Sequence, residues 1–273
     1  MNRRRIPSTG EELPVIGCGT YLGFDREPGS REYSSLPQVL AALFEAGGSV
    51  LDTSPMYGRA ETTIGELLAK VQVPQSSFLA TKVWTQGEGA GVRQMETSMK
   101  RLGAARIDLM QVHNLVDWRT HLKTIRTWRD AGRVRYLGIT HYTSSAYSEV
   151  EAALTSEPWD FLQINFSMEE QTAAQRLLPL AAERGVAVLV NRPFGGGGLA
   201  RRLRQRPLAA WANELGCTSW PQVLLKFALS HPAVTCVIPG TGRPEHMALN
   251  VHAGYGPIPE SDYWNDKVGE VLR

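Results

Sequence analysis

Eight short apolar runs alternate with eight amphipathic stretches along this chain of 273 residues. Apolar, β-branched runs of this length are typical of parallel strands buried on both faces, and the stretches between them have helical spacing. The predicted strands cover residues 14–19, 49–54, 78–84, 107–114, 134–140, 161–166, 186–191 and 234–239. The predicted helices cover approximately residues 35–46, 60–71, 92–102, 118–131, 145–155, 171–184, 219–230 and 244–253. Eight consecutive strand–helix units predict an α/β fold of the (β/α)8 TIM-barrel type.

A doubly wound open sheet is the competing architecture for alternating strands and helices. Its dinucleotide-binding form carries a glycine fingerprint in the turn from the first strand to the first helix. The glycines of GCGTYLG at residues 17–23 lack that spacing, and they lead into FDREPGSRE rather than directly into a helix. The barrel is therefore the favoured prediction.

Further segments lie at both ends of this pattern and after its seventh strand. The stretch RRRIPSTGEELPVI has two short extended pieces around Thr9-Gly10, which predict an N-terminal β-hairpin. Residues 194–216 form an insert, and residues 257–273 form a short C-terminal tail that ends in a predicted helix. Because no linker separates these segments, we expect residues 1–273 to form a single domain.

Composition excludes several classes of partner. The net charge of +2 is too small to indicate binding to nucleic acid or to a membrane surface. Cys18, Cys217 and Cys236 are few and widely spaced, so we expect reduced core thiols with no disulfide and no metal site. No apolar segment of a signal peptide follows MNRRRIPSTGEE, and no run approaches the ~18 residues of a membrane span. We expect a cytoplasmic protein.

Polar side chains mark the carboxyl ends of three successive predicted strands, where barrel enzymes build their active sites. Asp52 lies at the end of the second strand with Tyr57 just beyond it, Lys82 near the end of the third and His113 near the end of the fourth. An ammonium beside a phenol lowers the phenol pKa, and a carboxylate keeps a buried ammonium charged. An imidazole can donate to a substrate oxygen. This set suits a carbonyl oxygen that gains negative charge and then a proton.

Each of these residues has a simpler explanation when taken alone. A lone aspartate before a helix is more often a helix cap than a catalytic residue. A lone tyrosine is more often a packing residue, and a lone histidine more often has a structural role. A lone lysine at a strand end more often reaches solvent. Four compatible side chains at three successive strand ends favour a catalytic site.

Longer motifs give the chain a resemblance to a known family. They are LPVIGCGTY (13–21), LDTSPMYG (51–58), IGELL (64–68), TKVW (81–84), IDLMQVHN (107–114), GITHY (138–142), FLQINFS (161–167) and VIPGTGRPEHMALN (237–250). In this order the motifs resemble those of the aldo-keto reductase family. The resemblance implies a barrel that binds a nicotinamide dinucleotide and transfers a hydride to a carbonyl carbon. It assigns the catalytic tetrad to Asp52, Tyr57, Lys82 and His113, with Tyr57 as general acid and His113 orienting the carbonyl.

The resemblance also implies where the cofactor is held. The residues that it assigns are Gly19, Thr20, Tyr21, Asp52, Thr140, His141, Gln163, Asn191, Pro193, Gly195, Pro239, Gly240, Thr241, Arg243, His246 and Asn250. Thr140, His141 and Gln163 are expected near the carboxamide. Asn191 stands where many relatives have an aromatic residue stacked on the nicotinamide ring.

The choice between NADP and NAD depends on the loop after the eighth predicted strand. Relatives that prefer NADP often have a lysine at the position of Gly240 and an arginine at that of His246. Arg243 is expected to compensate by binding the 2′-phosphate, so NADP is predicted first and NAD is the alternative. The glycines at 195–198 have two interpretations: a flexible loop, or a loop whose backbone comes close to the cofactor pyrophosphate. Their position after strand seven favours the second.

An apolar mouth and a short tail predict an open site for small or medium aldehydes and ketones. The expected lining is Tyr21, Phe24, Trp84, His113 and Tyr142, with Trp118 as a further candidate. The expected partner is this small-molecule carbonyl substrate, and the expected assembly is a monomer or weak homo-oligomer. Two alternatives remain open: a cofactor-binding regulatory subunit of the same fold, and an unrelated barrel enzyme such as a phosphate-sugar isomerase.

Overall fold

The computed structural model describes residues 1–71 and 77–273, in which short strands and helices alternate. The strands are β1 (Arg3–Arg5), β2 (Glu12–Pro14), β3 (Cys18–Gly19), β4 (Val50–Asp52), β5 (Phe78–Val83), β6 (Ile107–His113), β7 (Val134–Thr140), β8 (Phe161–Asn165), β9 (Ala187–Asn191) and β10 (Val234–Val237). The α-helices are α1 (Arg31–Ser34), α2 (Leu36–Glu45), α3 (Ala60–Leu68), α4 (Glu88–Leu102), α5 (Trp118–Asp130), α6 (Tyr147–Ser156), α7 (Leu177–Glu183), α8 (Gly198–Leu203), α9 (Trp220–Ser230), α10 (Pro244–His252) and α11 (Lys267–Leu272).

Strands β3 to β10 form one eight-stranded parallel sheet in the order of the chain. Parallel bridges from Ile16 to Val237 and from Gly19 to Gly240 join its two ends. The close approach explains the glycine at 19, because a Cβ there would lie 2.8 Å from the carbonyl oxygen of Ile238. The predicted (β/α)8 barrel is therefore confirmed.

The predicted N-terminal hairpin is also present, and it covers the amino-terminal end of the barrel. β1 and β2 pair antiparallel and bury Ile6 and Leu13 in the inner cluster. In this cluster the ring of Phe78, the first residue of β5, lies 5.9 Å from that of Tyr136 and 5.7 Å from that of Phe161. Apolar side chains therefore fill the amino-terminal part of the barrel interior, and the polar residues at the strand ends lie in its carboxyl-terminal part.

The helices pack outside the sheet through a second apolar cluster. Most of their bounds follow the prediction closely. Two helices differ: α4 begins at Glu88, four residues earlier than expected, and α7 begins at Leu177, six residues later than expected. The insert after β9 folds into α8 and a 3-10 helix at Ala210–Leu215, and the tail folds into a 3-10 helix at Ser261–Trp264 and α11. The ring of Trp264 lies 6.0 Å from that of Trp211, so aromatic packing joins tail to insert. Across residues 1–71 and 77–273, no helix has the length and apolarity needed to span a membrane.

Candidate active site

The alternation of side chains along the strands places the polar residues above the inner cluster. Residues two apart on a strand point to the same side of the sheet. Val50, Ala80 and Leu109 belong to the inner cluster, so the residues two positions further along β4, β5 and β6 lie on the same face. Those residues are Asp52, Lys82 and Gln111, and His113 follows Gln111 at the same interval.

Asp52 and Lys82 form a buried ion pair at the centre of this site. The Lys82 ammonium donates to Asp52 Oδ2 and to the Thr53 carbonyl oxygen, each at 2.7 Å, and both side chains are almost fully buried. Burial by itself lowers the pKa of Lys82, but Asp52 and then Tyr57 raise it, so its pKa lies above the ordinary value. Lys82 therefore keeps its positive charge inside the protein.

Two glutamine side chains complete the surroundings of Asp52. Gln163 Nε2 donates to Asp52 Oδ1 at 2.7 Å, and Gln111 Nε2 donates to the same oxygen at 3.1 Å. All three side chains are buried. Gln111 was not among the predicted site residues, although its position two residues before His113 in a strand indicates that the two side chains share a face.

Tyr57 lies next to the ammonium of Lys82 and is only partly buried. Lys82 Nζ is 5.0 Å from the centroid of the Tyr57 ring. Burial raises the pKa of Tyr57, and although Lys82 lowers it, the pKa remains above its ordinary value. Lys82 therefore has the expected lowering effect, but the net pKa is raised, because the cost of burying a phenolate, together with the charge of Asp52, exceeds the attraction of the ammonium.

His113 completes the group and is a neutral imidazole. Its ring lies 6.0 Å from the Tyr57 ring in an edge-on arrangement, and its Nδ1 lies 3.2 Å from the Ser54 hydroxyl. Burial, then the charge of Lys82 and then His141 lower the pKa of His113 to about 3. At neutral pH the ring can therefore act as a hydrogen-bond donor without carrying charge.

The depressed pKa of His113 predicts that this residue makes the folded protein sensitive to acid. Its pKa falls from 6.5 to about 3 on folding, so between these values the unfolded chain binds one more proton than the folded chain. The contribution of neutral His113 to the free energy of unfolding is therefore fully present above pH 6.5 and is lost as the pH falls towards 3. The free energy of unfolding should fall by about 1.4 kcal/mol per pH unit from this residue alone.

Urea unfolding of the wild type and of His113→Gln at several pH values isolates this contribution. The difference between their free energies of unfolding should change with pH at that slope. A His252→Gln variant, which removes an exposed histidine of α10, serves as the control. Parallel pH curves for the wild type and His113→Gln would contradict the depressed pKa.

The residues expected near the carboxamide form a hydrogen-bonded chain across β7, β8 and β9. The Thr140 hydroxyl donates to Gln163 Oε1 at 3.1 Å, and Asn191 Nδ2 donates to the His141 carbonyl oxygen at 3.0 Å. Asn191 Oδ1 is buried and has no hydrogen-bond partner among the described residues. Thr20 is fully buried, and its hydroxyl donates to the Asp52 carbonyl oxygen at 3.0 Å.

The other expected cofactor residues lie in the loops that follow β9 and β10. Pro193 and Gly195 follow β9, and Gly195 has a φ of +59° and lies so close to Glu169 that a Cβ would be 2.4 Å from its Oε2. Pro239, Gly240, Thr241 and Arg243 follow β10, and His246 and Asn250 lie on α10. Arg243 is exposed, whereas His246 is half-buried. Burial and then the charge of Arg243 lower the pKa of His246.

Aromatic side chains flank the site, but one of the residues expected to line its mouth is buried in the core. The exposed ring of Tyr21 lies 5.0 Å from the Tyr57 ring, and the exposed ring of Trp84 lies 6.3 Å from the His113 ring. Tyr142 is also exposed and stacks on His141. Phe24 does not line this mouth. Its backbone N–H donates a hydrogen bond to the Thr20 carbonyl oxygen, and its side chain is fully buried in the second apolar cluster, between the sheet and the helices. Trp118 packs on Trp159 with ring centroids 5.9 Å apart.

Comparisons with known proteins agree with this fold along most of the chain. A model described as the Aldo/keto reductase family matches residues 15–265. An aldo-keto reductase of Mycolicibacterium smegmatis is 28% identical over 258 residues, which cover 92% of this chain and 87% of that protein. The methylglyoxal reductase YeaE of Escherichia coli is 26% identical over 262 residues, with coverage of 92% and 89%. A solved structure of a Klebsiella pneumoniae aldo-keto reductase in complex with NADPH superimposes with a TM-score of 0.80 at 21% identity, covering 99% of this chain and 94% of that one.

Proposed function

The chain belongs to the aldo/keto reductase family, and we propose that it is an NADPH-dependent reductase of small and medium aldehydes and ketones. One observation carries the proposal: a buried, charged Lys82 lies 2.7 Å from Asp52 and 5.0 Å from the centroid of the Tyr57 ring. A permanent ammonium beside a phenol stabilises the charge that appears when the phenol gives up its proton. The site therefore suits donation of a proton to an oxygen.

When bound, a reduced nicotinamide dinucleotide supplies the hydride that a carbonyl carbon accepts. The protein has to supply a proton to the carbonyl oxygen as negative charge develops there. Tyr57 is the proposed donor. An alkoxide is a much stronger base than a phenolate, so this transfer is favourable even though burial raises the pKa of Tyr57. His113, as a neutral ring, donates a hydrogen bond that orients the same oxygen.

The residues present fit a nicotinamide cofactor. Asn191 Oδ1 is a buried acceptor without a partner among the described residues, and an acceptor is what the amino group of a carboxamide needs. We propose that Asn191 holds the carboxamide, a role that differs from the ring stacking of the aromatic residue found in many relatives. Gln163 then serves mainly to hold Asp52, because its amide nitrogen already donates to that carboxylate.

Support for NADP over NAD comes from the loop before α10. Arg243 is exposed at the start of this helix, where the helix dipole also favours a bound anion. A guanidinium binds phosphate through two parallel hydrogen bonds. The solved Klebsiella pneumoniae relatives include complexes with NADP and with NADPH, which agrees with this choice.

An assay of NADPH oxidation with a panel of aromatic and short aliphatic aldehydes and ketones tests the proposed activity. We expect a kcat of about 1 s⁻¹ or more on the best substrates, within the usual range of enzymes. Turnover far below that value across the whole panel, together with tight NADPH binding, would contradict the proposal and favour a cofactor-binding regulatory role.

Replacement of Arg243 by alanine should reduce affinity for NADPH without changing affinity for NADH. Loss of a charge-assisted contact to the 2′-phosphate predicts a rise of roughly tenfold to a hundredfold in Kd for NADPH. Titration of each dinucleotide while following Trp fluorescence measures both constants. Arg93→Ala, which removes an exposed arginine of α4, is the matched control. Equal losses for the two dinucleotides would show that Arg243 does not contact the 2′-phosphate.

A further inference from the structure

We propose that Ser54 is a positioning residue that holds His113 in the tautomer with the proton on Nε2, the form able to donate to a carbonyl oxygen. The Ser54 Oγ lies 3.2 Å from His113 Nδ1, Ser54 is fully buried and His113 is nearly so. The proposal deepens the proposed reduction and rests on it, since the benefit of this tautomer is the hydrogen bond that His113 gives to the substrate.

The hydrogen-bonding capacity of the serine decides the direction of this bond. A hydroxyl has one proton to donate and two lone pairs that accept. The Met56 backbone N–H lies 3.4 Å from the Ser54 Oγ and donates to it, which uses one lone pair. Within residues 1–71 and 77–273, the acceptor within reach of the hydroxyl proton is His113 Nδ1. A buried hydroxyl without an acceptor is costly, so Ser54 donates and Nδ1 accepts.

The surroundings of the imidazole then determine where its proton lies. Burial and the neighbouring Lys82 ammonium both oppose a second proton, so the ring carries one. Because Nδ1 accepts from Ser54, that proton is on Nε2. The opposite tautomer would present a lone pair at Nε2, which repels the oxygen of a carbonyl instead of stabilising its developing charge.

The position of Ser54 in the chain shows why one short segment can organise the whole site. Asp52 and Thr53 provide the carboxylate and carbonyl oxygens that bind the Lys82 ammonium. Ser54 follows directly and holds His113 through its hydroxyl. Its own carbonyl oxygen accepts from the Tyr57 backbone N–H at 3.0 Å. The three residues therefore set the positions of ammonium, imidazole and phenol together.

Nitrogen chemical shifts of the His113 ring test the proposal without relying on activity. In uniformly ¹⁵N-labelled protein the six histidines can be separated by comparison with His113→Gln. We expect Nδ1 of His113 to have the shift of an unprotonated nitrogen and Nε2 that of a protonated one. In Ser54→Ala this pattern should be lost in favour of a mixture of tautomers. Protonated Nδ1 in the wild type, or an unchanged pattern in Ser54→Ala, would overturn the proposal.

Kinetics of the same variants provide a second readout. Ser54→Ala should lower kcat for aldehyde reduction by roughly tenfold with NADPH affinity unchanged, and Ser54→Thr, which keeps a hydroxyl, should recover most of the loss. Ser98→Ala is the matched control, because Ser98 is a fully buried serine of α4 outside the site. An equal loss of kcat in Ser54→Ala and Ser98→Ala would also contradict a positioning role.

The two proposals fail in different ways. If Ser54→Ala changes the tautomer of His113 but Tyr57→Phe retains full turnover, the proposed reduction mechanism is wrong and the role of Ser54 on the imidazole stands. If Tyr57→Phe abolishes turnover while the tautomer is the same with and without the Ser54 hydroxyl, the mechanism stands and the role of Ser54 is wrong.

Discussion

Replacement of Tyr57 by phenylalanine is expected to lower kcat for aldehyde reduction by roughly 10²- to 10⁴-fold and to leave NADPH affinity nearly unchanged. The substitution removes only the hydroxyl, so the ring contacts with Tyr21 and His113 can persist. Lys82 would remain paired with Asp52, and the fold should be unaffected. The loss then reports the missing proton donor rather than a disturbed site.

Single-turnover measurements at saturating NADPH separate this effect from product release, and quenching of Trp fluorescence measures cofactor binding. Tyr33→Phe is the matched control, because Tyr33 donates its hydroxyl to Glu66 at 2.6 Å and lies outside the site. A Tyr57→Phe enzyme with wild-type kcat would eliminate Tyr57 as the donor. A loss of NADPH affinity as large as the loss of kcat would mean that the variant disturbs the cofactor site.

Replacement of Asp52 by asparagine is expected to destabilise the protein by about 3–5 kcal/mol. The substitution keeps the size and shape of the side chain but leaves the Lys82 ammonium buried without its counter-ion. Both partners are almost completely shielded from water, so solvent cannot replace the lost interaction. Equilibrium unfolding in urea, followed by far-UV circular dichroism, measures the change.

The double variant Asp52→Asn/Lys82→Met tests the cause of this destabilisation. Methionine occupies much of the volume of lysine without its charge, so the double variant should recover a large part of the lost stability while remaining inactive. If Asp52→Asn alone stays within about 1 kcal/mol of the wild type, the pair does not have the energetic role described here. If the double variant is no more stable than Asp52→Asn, the loss of stability comes instead from the hydrogen bonds that the Gln111 and Gln163 amides donate to Asp52.

The order and type of the secondary structure followed from the sequence with few errors. The apolar runs that predicted eight strands correspond to β3 to β10, and the helices other than α4 and α7 begin and end close to their expected residues. Gly47, Gly103, Gly132 and Gly185 directly follow four of the predicted helices, and each has the positive φ that is typical of a glycine at a helix end. These features were predictable because strand and helix periodicity, and the glycine requirement of left-handed backbone, depend on neighbouring residues.

Individual side chains were harder to predict than the elements that carry them. Phe24 was expected at the mouth, but its backbone N–H closes a turn with the Thr20 carbonyl oxygen and its side chain is buried in the second apolar cluster. Lys82 was expected to lower the pKa of Tyr57 and does so, but burial raises this pKa by more, and the extent of burial cannot be estimated from the neighbouring residues alone. Ser54 was not among the predicted site residues, because a serine in this motif indicates no particular role until its hydrogen-bond partner is known.

The sequence by itself determined the succession of strands and helices, and it identified the strand ends as the place where an acid, an amine, a phenol and an imidazole collect. Only the tertiary structure decided which of these groups touch. Gln163 reaches Asp52 across 111 residues of chain, and Ser54 reaches His113 across 59. Such contacts depend on strand register and on closure of the ring between β3 and β10, which arise from the packing of the whole barrel rather than from any local pattern.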